Sequence, residues 1–480
     1  MSNIEQPRGR AGRFFRALTR VLKRTVVLAI VFVAACDISG YVELNHIKKP
    51  LIPIPQWPEY KYISQKNPFT HYEIAMRMAS DEDIKAIYDS LRTEHPNGRS
   101  LTALAHLRPA FAEIHAGAVL SSADLVFPSP TFRDSLGLSM SSLSCSYLCR
   151  LSRCLLLDAR DKSTRGRTSE AAKELLDGVM LGSHLSNAPD LSDIMLGASA
   201  SNDSALELLK IVTEGRLTPG ELRSIASGLQ AADSVIASNT DVAACCYLDE
   251  RRDLGKMLWS GDSWAEPMPL LGLPWDKKDY KIPESDPTTT WWQDMWSNLD
   301  GLIDDCRREL YISTPGYKTA VIRRFDSIWN DEFEAVKKPY VEAIRFDRSK
   351  SIPSYDFVND AMFFRTSFLL PTVENRAVIE GVMLTSAVEA YKKEHGRYPE
   401  SLQSLVGSYL KKLPTDPYSD GKPFIYKGEG NSYSLYSVGP NGKDDGGKMT
   451  DKTHEFSYFS KEDFVFSPQP ATVGSRSTRK

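Results

Sequence analysis

A chain of 480 residues exceeds the size at which one hydrophobic core keeps growing, and 41% hydrophobic with 25% charged residues is ordinary for folded protein, so two or more domains are expected. A net charge of −3 excludes a strong electrostatic draw to nucleic acid. Seven scattered cysteines exclude a disulfide-scaffold mini-protein.

Residues 1–24 are a basic segment, with seven Arg or Lys and no acid between positions 8 and 24, followed by an apolar run at 25–35 and then Cys36 and Asp37. A basic flank stays on the cytoplasmic side and sends the downstream chain across the membrane. Two outcomes fit. Val33-Ala34-Ala35-Cys36 resembles a bacterial lipobox, in which Cys36 receives the lipid and starts the mature chain. The short apolar run suits such a signal peptide. Alternatively, residues 25–42 are an uncleaved transmembrane signal anchor with Asp37 toward the outer interface, where a charge costs much less than deep in lipid. The long basic flank favours this anchor, and a buried core helix is a third reading. Both membrane readings place the body outside the cytoplasm, in the periplasm of a two-membrane cell.

Residues 43–66 form a linker whose stretch Pro50-Leu51-Ile52-Pro53-Ile54-Pro55-Gln56-Trp57-Pro58 cannot be helical. It reads as a stiff spacer or as an irregular strand on a domain surface. From 67 to 348 the dominant period is helical. Leu143, Tyr147, Leu151 and Leu155, then Ala171, Leu175, Val179 and Leu185, predict a helical hairpin around a polar loop at 158–167. Thr218-Pro219-Gly220-Glu221 is a capping-box start, backed by the buried face Leu222, Ile225, Leu229, Ala232 and Ile236. One hairpin faintly resembles a tetratricopeptide unit, but no regular period returns. The fold class is therefore mainly α: an irregular helical domain, with a solenoid-like arrangement left open. Within it, residues 260–290 form a loop rich in proline around Trp264 and Trp275, followed by Trp291, Trp292 and Trp296. These read either as an aromatic binding surface or as aromatic packing between helices.

No catalytic signature accompanies these elements. The eight histidines are spread singly, without a zinc-binding pair. Gly197-Ala198-Ser199-Ala200-Ser201 lacks the second glycine of a nucleophile elbow and lies in a helical pattern, so it reads as small-residue helix packing. There is no phosphate-binding or dinucleotide-binding glycine loop. Beyond Cys36, the six cysteines permit an interhelix bridge or buried free thiols.

After a connector at 349–373, residues 374–467 change character, and 468–480 read as a disordered basic tail. Val378, Val382, Thr385, Val388, Tyr391 and His395 lie on one stripe of a helix starting near Glu374, and Gly396 stands where a left-handed C-cap belongs. A short helical turn is expected at 400–406. Phe424-Ile425-Tyr426-Lys427 and Tyr433-Ser434-Leu435-Tyr436 flank Gly428-Glu429-Gly430-Asn431, a β-hairpin pattern. The module is thus α+β, a long helix on a small antiparallel sheet.

These landmarks, with His395-Gly396-Arg397-Tyr398-Pro399, Leu413-Pro414-Thr415-Asp416-Pro417 and Ser437-Val438-Gly439-Pro440-Asn441-Gly442, resemble the globular part of the major pseudopilin of type II secretion. The helical region is similar, more loosely, to that of large bacterial envelope proteins ending in the same module. The resemblance implies a calcium loop after the last strand. Its donors here would be Asn441, Asp444, Asp445 and Asp451, with backbone carbonyls. Asn441 stands where the family carries aspartate, and Lys443 and Lys448 lie among the acids, so a solvated turn without an ion competes with it. A pseudopilin also carries a long apolar helix joined directly to this module, whereas residues 362–370 here are a short mixed run containing Arg365. The expected function is a membrane-anchored extracytoplasmic protein with a binding or structural role and protein partners in the envelope or a pseudopilus. A hydrolase of envelope polymers, with its site in the helical domain, is the alternative.

Overall fold

A computed structural model describes residues 67–91, 97–120, 142–187, 191–259, 317–343, 369–447 and 463–468. The anchor at 25–42 with Cys36, the linker at 43–66, the proline- and tryptophan-rich loop at 260–290, Cys306, Asp451 and the tail from 469 lie outside the described residues. The described helices are α1 Pro68–Met78, α2 Asp81–Leu91, α3 Gly98–Ala118, α4 Ser142–Thr164, α5 Thr168–Leu185, α6 Leu191–Thr213, α7 Pro219–Val235, α8 Asn239–Trp259, α9 Tyr317–Ala335, the single turn α10 Tyr340–Ala343, and α11 Leu369–His395. A 3₁₀ turn at Leu402–Leu405 leads to strands β1 Ile425–Glu429, β2 Ser432–Ser437 and β3 Phe464–Val465.

The chain divides into two compact units. One comprises Met1–Ile54, Arg251–Asn330 and Ser349–Phe363. In it Arg251 Nε meets Asp326 Oδ1 at 3.0 Å, and the rings of Phe325 and the fully buried Trp329 lie 6.4 Å apart. The other comprises Pro55–Glu250, Asp331–Arg348 and Phe364–Lys480, and so contains both the larger part of the helical body and the C-terminal module.

In this second unit α1 and α2 pack on α3, and α4, α5 and α6 pack on one another. The hairpin α4–α5 forms as its apolar spacing predicts, with Leu151, Leu155, Ala171, Leu175, Val179 and Leu185 buried. Its polar loop is shorter than expected, because α4 runs on to Thr164. Lys162 pairs with Asp158 at 2.9 Å and Arg165 with Asp161 at 2.9 Å, each one helical turn apart. Such i,i+4 pairs hold a charged sequence in the helix until Gly166, at φ +79°, ends it. The turn before α7 is the expected capping box: Glu221 N donates to Thr218 Oγ1 while the Glu221 carboxylate accepts from Thr218 N.

The glycine and serine series on α6 makes a close helix crossing, in keeping with small-residue packing. A methyl group on Gly182 would lie 2.5 Å from Ser201 N, and one on Gly197 2.7 Å from Ser186 N. Cys149 and Cys154 are buried free thiols, and Cys145 and Cys246 are buried as well. Burial pushes the Cys149 thiol up to about 12, so it is not a reactive thiolate.

Helix α11 begins at Leu369, five residues before the expected start, and packs on α6 and α7 as well as on the sheet. The predicted single stripe is therefore replaced by burial on every side: all residues from 377 to 390 are buried, including Glu380, Thr385, Ser386 and Glu389. The sheet has the order β1-β2-β3 and is antiparallel throughout. Glu429 pairs with Ser432 across the two-residue turn Gly430-Asn431, with Gly430 at φ +63°.

Candidate functional site

The sequence landmarks of the module converge where β2 ends. Asp416, 1% exposed, accepts hydrogen bonds from Tyr418 N at 3.0 Å, Ser437 Oγ at 2.8 Å and Val438 N at 2.9 Å. It thereby ties the segment 413–418 to the end of β2. Burial raises its carboxyl, and the donors it accepts from pull the other way. On the opposite side, Tyr426 Oη donates to Pro399 O at 2.7 Å, and Tyr398 Oη donates to the buried Glu389 Oε1 at 3.3 Å. Burial raises Glu389 as well.

The loop after β2 turns back on itself, bonding to Tyr436 of β2 and to Asp463 just before β3. Gly442 N donates to Gly439 O at 3.0 Å, and Gly442 itself, at φ +66°, has no room for a side chain: a Cβ there would sit 2.4 Å from Val341 Cγ2. Asn441 Oδ1 accepts from Lys443 N at 2.7 Å, while its Nδ2 donates to Asp445 Oδ2 at 2.8 Å. Asp444 Oδ1 accepts from Tyr436 Oη at 3.0 Å and from Gly446 N at 2.9 Å. Asp463, at the start of β3, gathers the loop by accepting from Asp445 N at 3.1 Å and Gly447 N at 2.7 Å. Burial raises its carboxyl; the backbone donors oppose this, and the charges of Asp445 and Asp444 add to it. Sequence reasoning missed Asp463; its signal was an acid directly before the apolar run Phe464-Val465-Phe466.

Calcium requires six to eight oxygens turned toward one point. In the described loop the Asn441 amide nitrogen, not an oxygen, faces Asp445, and the Asp444 and Asp463 oxygens named above are occupied by protein donors. Among the described residues no group of three His, Cys, Asp or Glu is placed to hold a metal. The described donors form a self-bonded turn and do not fit a calcium cage by themselves; Asp451 lies beyond them.

The face of α11 turned from the sheet is fixed to the helical body. Arg376 Nε pairs with Asp233 Oδ1 of α7 at 3.2 Å, and its Nη2 donates to Ile236 O at 3.2 Å. At the other end, Lys393 Nζ donates to Gly215 O at 2.8 Å, and Arg223 pairs with Glu394 at 3.1 Å. Between them, burial lifts Glu380 well above the carboxylate range, and the neighbouring charge of Asp233 adds to this. Burial also lifts Glu374, to about 7.

In the helical body, Glu174 is lifted by burial to about 7 and held by Lys162 in the α4–α5 hairpin. Deep in the body, Tyr72 Oη bonds His184 Nδ1 at 2.6 Å, and burial lowers the imidazole to about 4. These acids sit at separate helix contacts: Glu174 at α4–α5, Glu374 at α6–α11 and Glu380 at α7–α11. The structure does not bring them together as an acid–base pair, and they read as packing groups.

The family model for type II secretion system protein G matches residues 373–454. Among curated proteins, the type II secretion system core protein G of Escherichia coli K12 is 31% identical over 87 residues, 15% of this chain and 60% of that protein. The core protein G of Klebsiella pneumoniae is 29% identical over 84 residues, 14% of this chain and 60% of that protein. That of Vibrio cholerae is 25% identical over 104 residues, 17% of this chain and 71% of that protein. The chain thus spans about 60% of the length of the first two relatives. No solved structure matches. The helix, hairpin and turn at the C-terminus of this chain form a module that resembles the globular domain of protein G, the major pseudopilin of type II secretion.

Proposed function

We propose that this is an extracytoplasmic protein, held at the cytoplasmic membrane by its N-terminal segment, with a binding or structural role in a secretion or pilus-like system. The observation that carries this reading is the match of residues 373–454 to protein G, together with the helix, three-stranded sheet and folded loop found there. The basic segment before the apolar run supports the placement. The module is the element that would engage envelope or pseudopilus partners, through its sheet and loop, because α11 is already covered on its other side by α6 and α7.

The test is co-capture of the full chain with the core protein G of a type II secretion system. The full chain is needed because removing α6 and α7 would bare an apolar flank of α11. Association that is lost when the loop at 441–447 is replaced supports the reading. Absence of association at high concentration overturns it. Mass spectrometry of the mature N-terminus distinguishes the two forms of anchorage: a lipidated chain beginning at Cys36, or an intact segment 1–35.

A further inference from the structure

Glu374, on the first turns of α11, is 3% exposed, and Asn202, in the middle of α6, is 6% exposed. Asn202 Nδ2 donates to Glu374 Oε1 at 3.4 Å. The remaining two polar atoms, Asn202 Oδ1 and Glu374 Oε2, are both buried without a hydrogen-bond partner. Two acceptors left over beside a shared hydrogen bond are costly inside a protein, unless one of them carries a hydrogen. A neutral carboxyl group supplies that hydrogen. With a proton on Oε2, the acid and the amide can form a cyclic pair, each donating once and accepting once.

We propose that Glu374 and Asn202 form a proton-operated latch between α11 and α6: closed as a two-bond acid–amide pair, and opened when the Glu374 proton leaves to solvent. In the open state Oε2 is an acceptor like Asn202 Oδ1, neither has a donor, and a bare charge is buried at the contact. The surroundings agree with a protonated resting form. Burial raises the Glu374 carboxyl to about 7. The ionisable group facing it from α10 is Tyr340, whose hydroxyl is itself pushed up by burial and then by the charge of Glu374. From α6 it meets the neutral Asn202. Of the neighbouring charged residues of α11, Arg376 pairs with Asp233 of α7, and Glu380 is raised by burial and then by the charge of that same Asp233.

Linkage sets the sign of the effect. The folded state holds the proton more tightly than the unfolded chain, so the latch's contribution is complete below about pH 4.5 and is lost as pH rises through about 7. Thermal unfolding of the full chain between about pH 6 and about pH 8.5 reads this directly. The wild type is expected to lose melting temperature over that range. Glu374→Gln, which keeps both hydrogen bonds but cannot ionise, is expected to lose distinctly less. Glu380→Gln serves as the control and retains the Glu374-dependent fall. Superimposable curves for wild type and Glu374→Gln overturn the proposal.

Infrared spectroscopy at about pH 6 provides a second reading that does not depend on stability. The wild type should show a protonated carboxyl C=O band that disappears in Glu374→Gln and shifts in Asn202→Leu to the position of an acid lacking an amide partner. A Glu374 band that stays in place when Asn202 is replaced also overturns the latch, even if one of the variants folds poorly.

Discussion

Helices α5 and α11 both run through the interior of one compact unit, yet they meet their neighbours through different chemistry. At α5 the contact with α6 is backbone against backbone, because Gly182 and Gly197 leave nothing between the chains. At α11 the contacts with α6 and α7 are made by side chains, several of them ionisable: Glu374, Arg376 and Glu380. A backbone contact has no part that can yield or change charge. A contact through buried carboxyls can be altered by a single proton. The body should therefore behave as a fixed frame, and the docking of the pseudopilin-like helix as its adjustable joint.

Enlarging a glycine tests the first half of that contrast and should have the largest effect. Gly182→Ala puts a methyl group 2.5 Å from Ser201 N and 2.6 Å from Gly197 O, so whole helices must separate. A loss of about 3 kcal/mol or more is expected in urea unfolding. Gly228→Ala, on α7, meets only the end of the flexible Leu176 side chain and should cost distinctly less. Equal losses at the two positions would mean that the α5–α6 crossing is not rigid.

Inside the module the comparable fixed point is one carboxylate. Asp416→Ala strands Tyr418 N, Ser437 Oγ and Val438 N in a buried place, and a loss of about 2–3 kcal/mol is expected. Hydrogen exchange should show that loss concentrated around 413–418 and the end of β2. Uniform exchange across the helical body would count against a local anchor.

How far each region could be read from sequence follows the same division. The α4–α5 hairpin, the Thr218 capping box, the Gly396 turn and the β1–β2 pairing depend on neighbours a few residues away, and their spacing reveals them. The burial of α11 on every side between 377 and 390 was not legible. Asn375, Glu380 and Ser386 look like a solvent-facing side, and the helices α6 and α7 that pack on α11 lie more than 130 positions upstream in the chain. The continuation of α4 through Asp158 and Asp161 was hidden because charges suggest a loop until their i,i+4 partners are considered. Asp463 was missed because its strand is two residues long and falls outside the hairpin pattern.

A pH titration sets the two regions against each other. Burial holds His184 near 4 in the folded body, against an ordinary value of 6.5. As pH falls from about 6.5 to about 4 the unfolded chain takes up a proton that the folded state refuses, so stability declines, by about 2–3 kcal/mol. His184→Gln should flatten this acid limb and leave the alkaline limb, to which Glu374 contributes, in place. A variant that moves both limbs would show that body and joint do not titrate separately.

The smallest effect is expected at the loop after β2, where the question is whether an ion belongs to the frame at all. If calcium bound the folded loop at a concentration about a hundred times its dissociation constant, it would add about 2.7 kcal/mol and raise the melting temperature by several degrees. The described loop is already closed by its own bonds, with Asn441 and Asp445 paired to each other and Asp463 holding the backbone. Calcium and a chelator are therefore expected to give the same melting curve. A calcium-dependent rise that disappears in Asp444→Asn would instead mean that oxygens beyond the described residues, Asp451 among them, complete a cage with those of the loop. Asn441→Asp sharpens the test, because it removes the amide nitrogen that now faces Asp445 and sets two carboxylates side by side. Two adjacent carboxylates repel each other unless a cation lies between them. This variant should melt lower than wild type in chelator and recover with calcium, which would identify the amide at 441 as a group that disfavours calcium in this loop.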